Sequence, residues 1–122
     1  MPTRQKVVAI VEDDRNMLRA ATDLLDAHGF ATVAFASAED FLERGIAKAV
    51  DCLLLDVDLG GMSGIDLRRQ LRASGCTLPI IFMTAIDDEA VERQALASGC
   101  AAYLRKPFPP GALIDAIRKA VA

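Results

Sequence analysis

Short apolar runs recur along this chain, separated by stretches long enough for a helix, and each run ends on a polar residue. VVAIV leads into Glu12 and Asp13, CLLL into Asp56, IIFM into Thr84, and AAYLR into Lys106. Runs of this length and spacing read as strands of a parallel sheet buried on both faces, because parallel strands need a crossover, usually helical, between them. Strands are expected at 6–11, 31–35, 51–56, 80–83 and 101–105, and helices at about 14–28, 38–48, 64–74, 88–98 and 110–121.

With right-handed crossovers, the simplest α/β arrangement is a flavodoxin-like doubly wound (βα)5 fold. Its five-stranded parallel sheet has order 2-1-3-4-5, with three helices on one face and two on the other. Local signals agree. Met17, Ala21, Leu24, Leu25 and His28 share one face of the first helix, which places His28 on its buried side, and Gly29 follows as a left-handed cap. Ser37 opens the second helix with Glu39 and Asp40 in its first turn, where acids suit the macrodipole. Gly75 and Gly99 end the third and fourth helices, and Pro79 starts the fourth strand. Leu113, Ile114, Ile117, Ala120 and Val121 face inward on the last helix. The fourth helix is the weakest, with only Val91, Ala95 and Ala97 to bury.

A chain of 122 residues is one domain, large enough for a core without disulfides. Hydrophobic residues make up 52% and aromatic ones 5%, so that core is aliphatic. A net charge of −3 argues against direct nucleic-acid binding, which needs a basic face. No apolar stretch approaches the roughly 20 residues of a membrane span. The opening MPTRQK lacks an apolar signal region, and a cytoplasmic location is expected. Cys52, Cys76 and Cys100 are odd in number and read as small buried hydrophobes of a reducing compartment. The methionines read as filler or loop residues.

In open α/β sheets, ligands bind beyond the carboxyl ends of the strands. Glu12, Asp13, Asp56, Thr84 and Lys106 should therefore meet in one shallow pocket, a set suited to a divalent cation and a phosphoryl group. Hard cations such as Mg²⁺ take oxygen ligands and commonly use one or two carboxylates plus a phosphate. Without a cation, crowded carboxylates raise one another's pKa. In the acidic run, Asp14 fits a helix N-terminus. Asp56 is placed to act as a carboxylate nucleophile, Thr84 to donate a hydroxyl to a phosphoryl oxygen, and Lys106 to pair with Asp56. Gly60, Gly61 and Gly64 are expected to let the following loop turn with its backbone close to the ligand. A rival enzyme reading takes Asp56-Val57-Asp58 as the DxD of a haloacid-dehalogenase-type phosphatase. That family wants a further acidic pair after the lysine, whereas only Asp115 follows Lys106 here.

The acidic pair in IVEDD, then LLLDVDLGGMSG, FMTA and YLRKPF, in this order, resemble the receiver domain of bacterial two-component response regulators. The resemblance runs over essentially the whole chain and implies one receiver domain over 1–122 without an output domain. It implies a regulatory phosphoacceptor, with self-phosphorylation and autodephosphorylation as its only chemistry. Asp56 would be the phosphoacceptor. Mg²⁺, with Mn²⁺ as a substitute, would be held by Asp13 and Asp56, by the backbone carbonyl of Asp58, and by Glu12 through water. Thr84, Tyr103 and Lys106 would form the switch. The implied donor is a phosphohistidine on a sensor histidine kinase or phosphotransfer protein. A homodimer or output partner would engage helix four, strand five and helix five. This chain departs from the family's pattern at Gly60, where a proline is usual. Asp58, two residues beyond Asp56, and Ile86, two beyond Thr84, leave the acyl-phosphate lifetime open.

Overall fold

The computed structural model describes residues 4–122. Its strands are β1 (Val7–Val11), β2 (Ala31–Phe35), β3 (Cys52–Asp56), β4 (Ile80–Thr84) and β5 (Ala102–Arg105). Its helices are α1 (Arg15–Ala27), α2 (Ala38–Arg44), α3 (Gly64–Ala73), α4 (Glu89–Ala97) and α5 (Pro110–Val121). The sheet is parallel throughout, in the order β2-β1-β3-β4-β5. Alternate strand residues feed two core layers, as the twofold period of a strand requires. Ala9, Val11, Leu53, Leu55, Ile80 and Phe82 join a cluster that includes Phe41, Leu67, Leu71 and Ala95 of α2, α3 and α4. Val8, Ile10, Leu54, Ile81 and Met83 join Ala21 and Leu25 of α1 with Leu113, Ile114 and Ile117 of α5. The three-and-two division of helices follows directly. β1, β3 and β4 carry near-continuous apolar runs because both of their faces are covered.

Caps end the helices where the residue types predict. Asp14, Ser37, Ser63 and Asp88 each accept a backbone N–H in the first turn of the helix they open. Gly29, Gly75 and Gly99 take left-handed conformations after α1, α3 and α4. As expected, α4 is thinly anchored: Ala95 is its one buried residue, and Leu96 stands 54% exposed.

Three expectations are corrected. The second helix stops at Arg44, not residue 48, because Gly45 turns left-handed (φ 64°) and a separate 3-10 turn, Ala47–Ala49, follows. His28 is exposed rather than buried. It is the C-cap of α1, where the backbone has left helical geometry, so its side chain no longer follows the apolar stripe; its Nδ1 lies 2.9 Å from the Leu24 carbonyl. Of the cysteines only Cys52 is fully buried, its thiol pushed up to about 12 by burial, whereas Cys76 and Cys100 are half-buried. Among the methionines, Met83 is core and Met17 and Met62 are half-buried. Met1 and the start of MPTRQK lie outside the described residues.

Two charged contacts had no obvious mark in the sequence. Arg68 is 9% exposed and donates to the carbonyls of Leu78, Ser98 and Gly99, and Arg72 also donates to Ser98. Both arginines thus lie at the C-terminal end of α4, where orphan carbonyls and the helix dipole favour cations. At the other end of the sheet, Asp51 accepts from both terminal nitrogens of Arg4, at 2.9 and 2.7 Å, and from the Val7 N–H at 2.8 Å. Hydrogen bonding from Arg4 outweighs burial, and the Asp51 pKa falls to about 2. A depressed carboxyl pKa gives stability that is fully present above the unfolded value, near 4, and is lost as pH falls through about 2. Asp51→Asn should therefore flatten that part of the acid-unfolding curve. Superimposable curves for variant and parent between pH 2 and 4 would show that the Asp51 contacts do not stabilise the fold.

Candidate phosphoacceptor site

The carboxyl ends of β1, β3 and β4, with the turn after β5, bring the polar residues together. Glu12 directly follows β1, its N–H held by the Phe35 carbonyl at 3.0 Å, and its side chain is buried. Asp13 is exposed, and Asp14 turns away to cap α1. The acidic run thus divides: two carboxylates face the site and the third serves the helix. Asp56 is the last residue of β3, 4% exposed, and its Oδ1 accepts the N–H of Asp58 at 3.1 Å. Thr84 ends β4, fully buried, its Oγ1 accepting the Ile86 N–H at 2.9 Å. Lys106 follows β5; its N–H donates to the Thr84 carbonyl at 2.8 Å, and the Lys106-Pro107 peptide is cis.

The Lys106 ammonium donates to Asp56 Oδ2 at 3.0 Å and also to Glu12 Oε1. The pairing with Asp56 was expected; the bridge to Glu12 was not. Three residues drawn from three strand ends therefore form one ion cluster. Burial alone disfavours the ammonium, but the hydrogen bonds to Glu12 and Asp56 outweigh it and raise the Lys106 pKa. Glu12 is also raised, first by burial and then by its contact with Asp56, against the opposing pull of Lys106. One cation shared by two buried carboxylates leaves negative charge uncompensated, the condition under which a further cation is favoured. The donor set fits one: ligand oxygens of Glu12, Asp13 and Asp56 all lie within 4.8 Å of one another. Asp13, exposed beside the buried pair, gives the cluster an open side.

Of the glycines after Asp56, Gly61 and Gly64 serve the protein's own packing. None of Gly60, Gly61 and Gly64 has a positive φ. At Gly64 a Cβ would lie 2.2 Å from the Asp56 carbonyl oxygen and 3.0 Å from the Val57 Cα. The start of α3 thus runs directly against the end of β3, closed by a 2.9 Å bond from the Gly64 N–H to the Val57 carbonyl. At this position the close neighbour that calls for glycine is β3 itself. Gly60 is the one nearest the site, 4.0 Å from Asp13 Oδ2 by the same measure. Tyr103, on β5, packs against the α2–α4 side of the core with its hydroxyl shielded and without a hydrogen-bond partner among the described residues. Beside it, Arg105 pairs with Asp87 at 2.9 Å, tying β5 to the loop after Thr84.

Residues 8–118 match the family model described as the response regulator receiver domain. Nodulation protein W of Bradyrhizobium diazoefficiens is 38% identical over 91% of this chain and 49% of its own length. The response regulator protein TodT of Pseudomonas putida is 36% identical over 99% of this chain and 53% of its own. The chain thus spans about half the length of the relatives it matches. Among solved structures, response regulator StyR superimposes with a TM-score of 0.89 at 36% identity, over 97% of this chain and 60% of that one. FixJ-N superimposes at 0.88 with 30% identity, over 98% and 95%. The doubly wound sheet, the acidic cluster at its carboxyl edge and these relatives converge: the chain belongs to the response regulator receiver domains of two-component signal transduction.

Proposed function

We propose that Asp56 accepts a phosphoryl group from a phosphohistidine of a sensor histidine kinase or phosphotransfer protein. The observation that carries this reading is the Lys106 ammonium bridging Asp56 and Glu12 beside the Asp13 carboxylate. An Asp56 oxygen attacks phosphorus and the O–P bond forms as the N–P bond breaks. The electron pair of that bond stays on the imidazole, which leaves neutral when its other nitrogen carries a proton. Mg²⁺, held by Asp13, Asp56, the Asp58 carbonyl and, through water, Glu12, would offset the charge of two approaching anions. Lys106 stays within reach of the phosphoryl oxygens and stabilises them with a charge-assisted hydrogen bond. The protein acts as a regulatory phosphoacceptor in the cytoplasm, and residues 1–122 form one receiver domain. Among the described residues, no helix is long and apolar enough to cross a membrane.

Phosphorylation adds roughly 1.5 to 2 negative charges and three acceptor oxygens. Thr84 exchanges its bond to the Ile86 N–H for one to the phosphoryl group, which shifts the loop that Asp87 and Arg105 tie to β5. Tyr103 responds to the changed space beside β5, and α4, β5 and α5 become the surface read by a second copy or an output partner. A ligand shifts such an equilibrium only through differential affinity for the two states, supplied here by Thr84 and Lys106. Thr84→Ala should accept phosphate yet lose the change in hydrogen exchange across α4 and β5. Changes confined to α1 in the parent protein would place the output surface elsewhere.

The deciding experiment is incubation with acetyl phosphate and Mg²⁺. One stable added phosphoryl per chain is expected, whereas continuous release of phosphate at catalytic rates would favour the phosphatase reading of Asp56 and Asp58. Asp13→Asn should weaken Mg²⁺ binding by more than about tenfold, the scale at which even the partners of metal ligands act. Asp14→Asn, at the α1 cap, should leave it nearly unchanged. Equal losses from the two would mean that the acidic run acts through its overall charge.

A further inference from the structure

The loop between β3 and α3 is held near its α3 end by a side chain from another helix. Glu39, in the first turn of α2, accepts the Met62 N–H on Oε2 at 2.9 Å. This bond is the leading cause that draws the Glu39 carboxyl below its ordinary range. The neighbouring Gly61 accommodates it: a Cβ there would lie 2.5 Å from the same Oε2. Because Gly61 has no positive φ, its backbone does not require glycine. Room for the Glu39 carboxylate does.

At its base the loop is fastened by the Gly64-to-Val57 and Asp58-to-Asp56 hydrogen bonds. Asp58, whose carbonyl the reading above assigns to the cation, belongs to that base, and a Cβ at Gly60 would lie 4.0 Å from Asp13 Oδ2. We propose that Glu39 is a positioning residue for phosphoryl transfer, holding the Met62 N–H so that the loop presents the Asp58 carbonyl beside Asp13 and Asp56. The inference rests on the phosphoacceptor reading above and assigns this loop an external support from α2.

The test is Mg²⁺ affinity by calorimetry, with thermal melting as a control for folding. Glu39→Ala should weaken Mg²⁺ binding about fivefold to tenfold, the worth of one ordinary, solvent-exposed hydrogen bond. Gly61→Ala should do the same with Glu39 intact, because its methyl group displaces the carboxylate. The double variant should be no worse than either alone. Glu39→Gln, which keeps an acceptor, should stay within about twofold of the parent. Parental affinity in both Glu39→Ala and Gly61→Ala would overturn the proposal. Equal losses in Glu39→Gln and Glu39→Ala would also overturn it, because long-range charge would then replace the contact. If the parent itself neither binds Mg²⁺ nor becomes phosphorylated on Asp56, the phosphoacceptor reading fails instead, and the two failures are distinct.

Discussion

Asp56→Asn should fold yet lose labelling by acetyl phosphate. The loss should be at least about a hundredfold in rate, as removing a nucleophile leaves only the assistance of the groups around it. The fold should survive because the substitution removes one of two buried carboxylates that crowd each other, and Lys106 keeps its bond to Glu12. Breaking a buried ion pair ordinarily costs several kcal/mol by leaving a charge alone, but here the ammonium has a second partner. The melting temperature should accordingly stay within a few degrees of the parent. Intact-mass measurement showing parental phosphorylation of the variant would remove Asp56 from the role. A collapse of the fold would mean instead that Asp56 is the principal partner of Lys106.

The second large effect lies in the backbone behind Asp56. Gly64→Ala places a methyl 2.2 Å from the Asp56 carbonyl oxygen and 3.0 Å from two further backbone atoms, none of which is the free end of a flexible side chain. Either the start of α3 or the end of β3 must move. Overpacking of this kind costs about 1–3 kcal/mol, and a purely backbone obstacle belongs at the upper end. For a domain of this size, about 3 kcal/mol lowers the melting temperature by roughly 10 °C. Displacing the end of β3 also moves Asp56 relative to Lys106, so phosphorylation should slow even at temperatures where the variant is folded. A melting temperature within one or two degrees of the parent would show that the contact relaxes without cost. The contrast with Gly61 is informative: there the obstacle is a movable carboxylate, so the expected effect falls on the site rather than on stability.

Much of this protein could be read from the residues in order. Buried parallel strands demand unbroken aliphatic runs, so VVAIV, CLLL and IIFM marked β1, β3 and β4 within a residue or two of their observed bounds. Ser37 and Gly29 marked helix ends because capping is a local hydrogen-bond and backbone problem, solved by neighbours in sequence. The candidate site was legible for a different reason. A parallel sheet aligns its carboxyl ends on one edge, so polar residues closing separate strands converge whatever their distance along the chain.

What the sequence left undecided was most of the contacts between elements that have no fixed relation in the chain. Lys106 had one foreseeable partner, Asp56, yet it also binds Glu12, because the depth of the Glu12 side chain depends on how β1 sits between its neighbours. Arg68 reads as an ordinary surface arginine on α3, and only the packing of α3 against the end of α4 turns it inward to three carbonyls. His28 lay on the apolar stripe of α1 by counting, and a change of backbone angle at the cap carried it into solvent. Residues 39 and 61 showed no sign of one another until α2 and the loop after β3 were placed side by side. Local propensity and periodicity belong to the chain itself, so they determined the strands, most helix ends and the edge on which the site lies. Side-chain partners across elements depend on distances of a few ångströms between layers, and only the tertiary structure decided those.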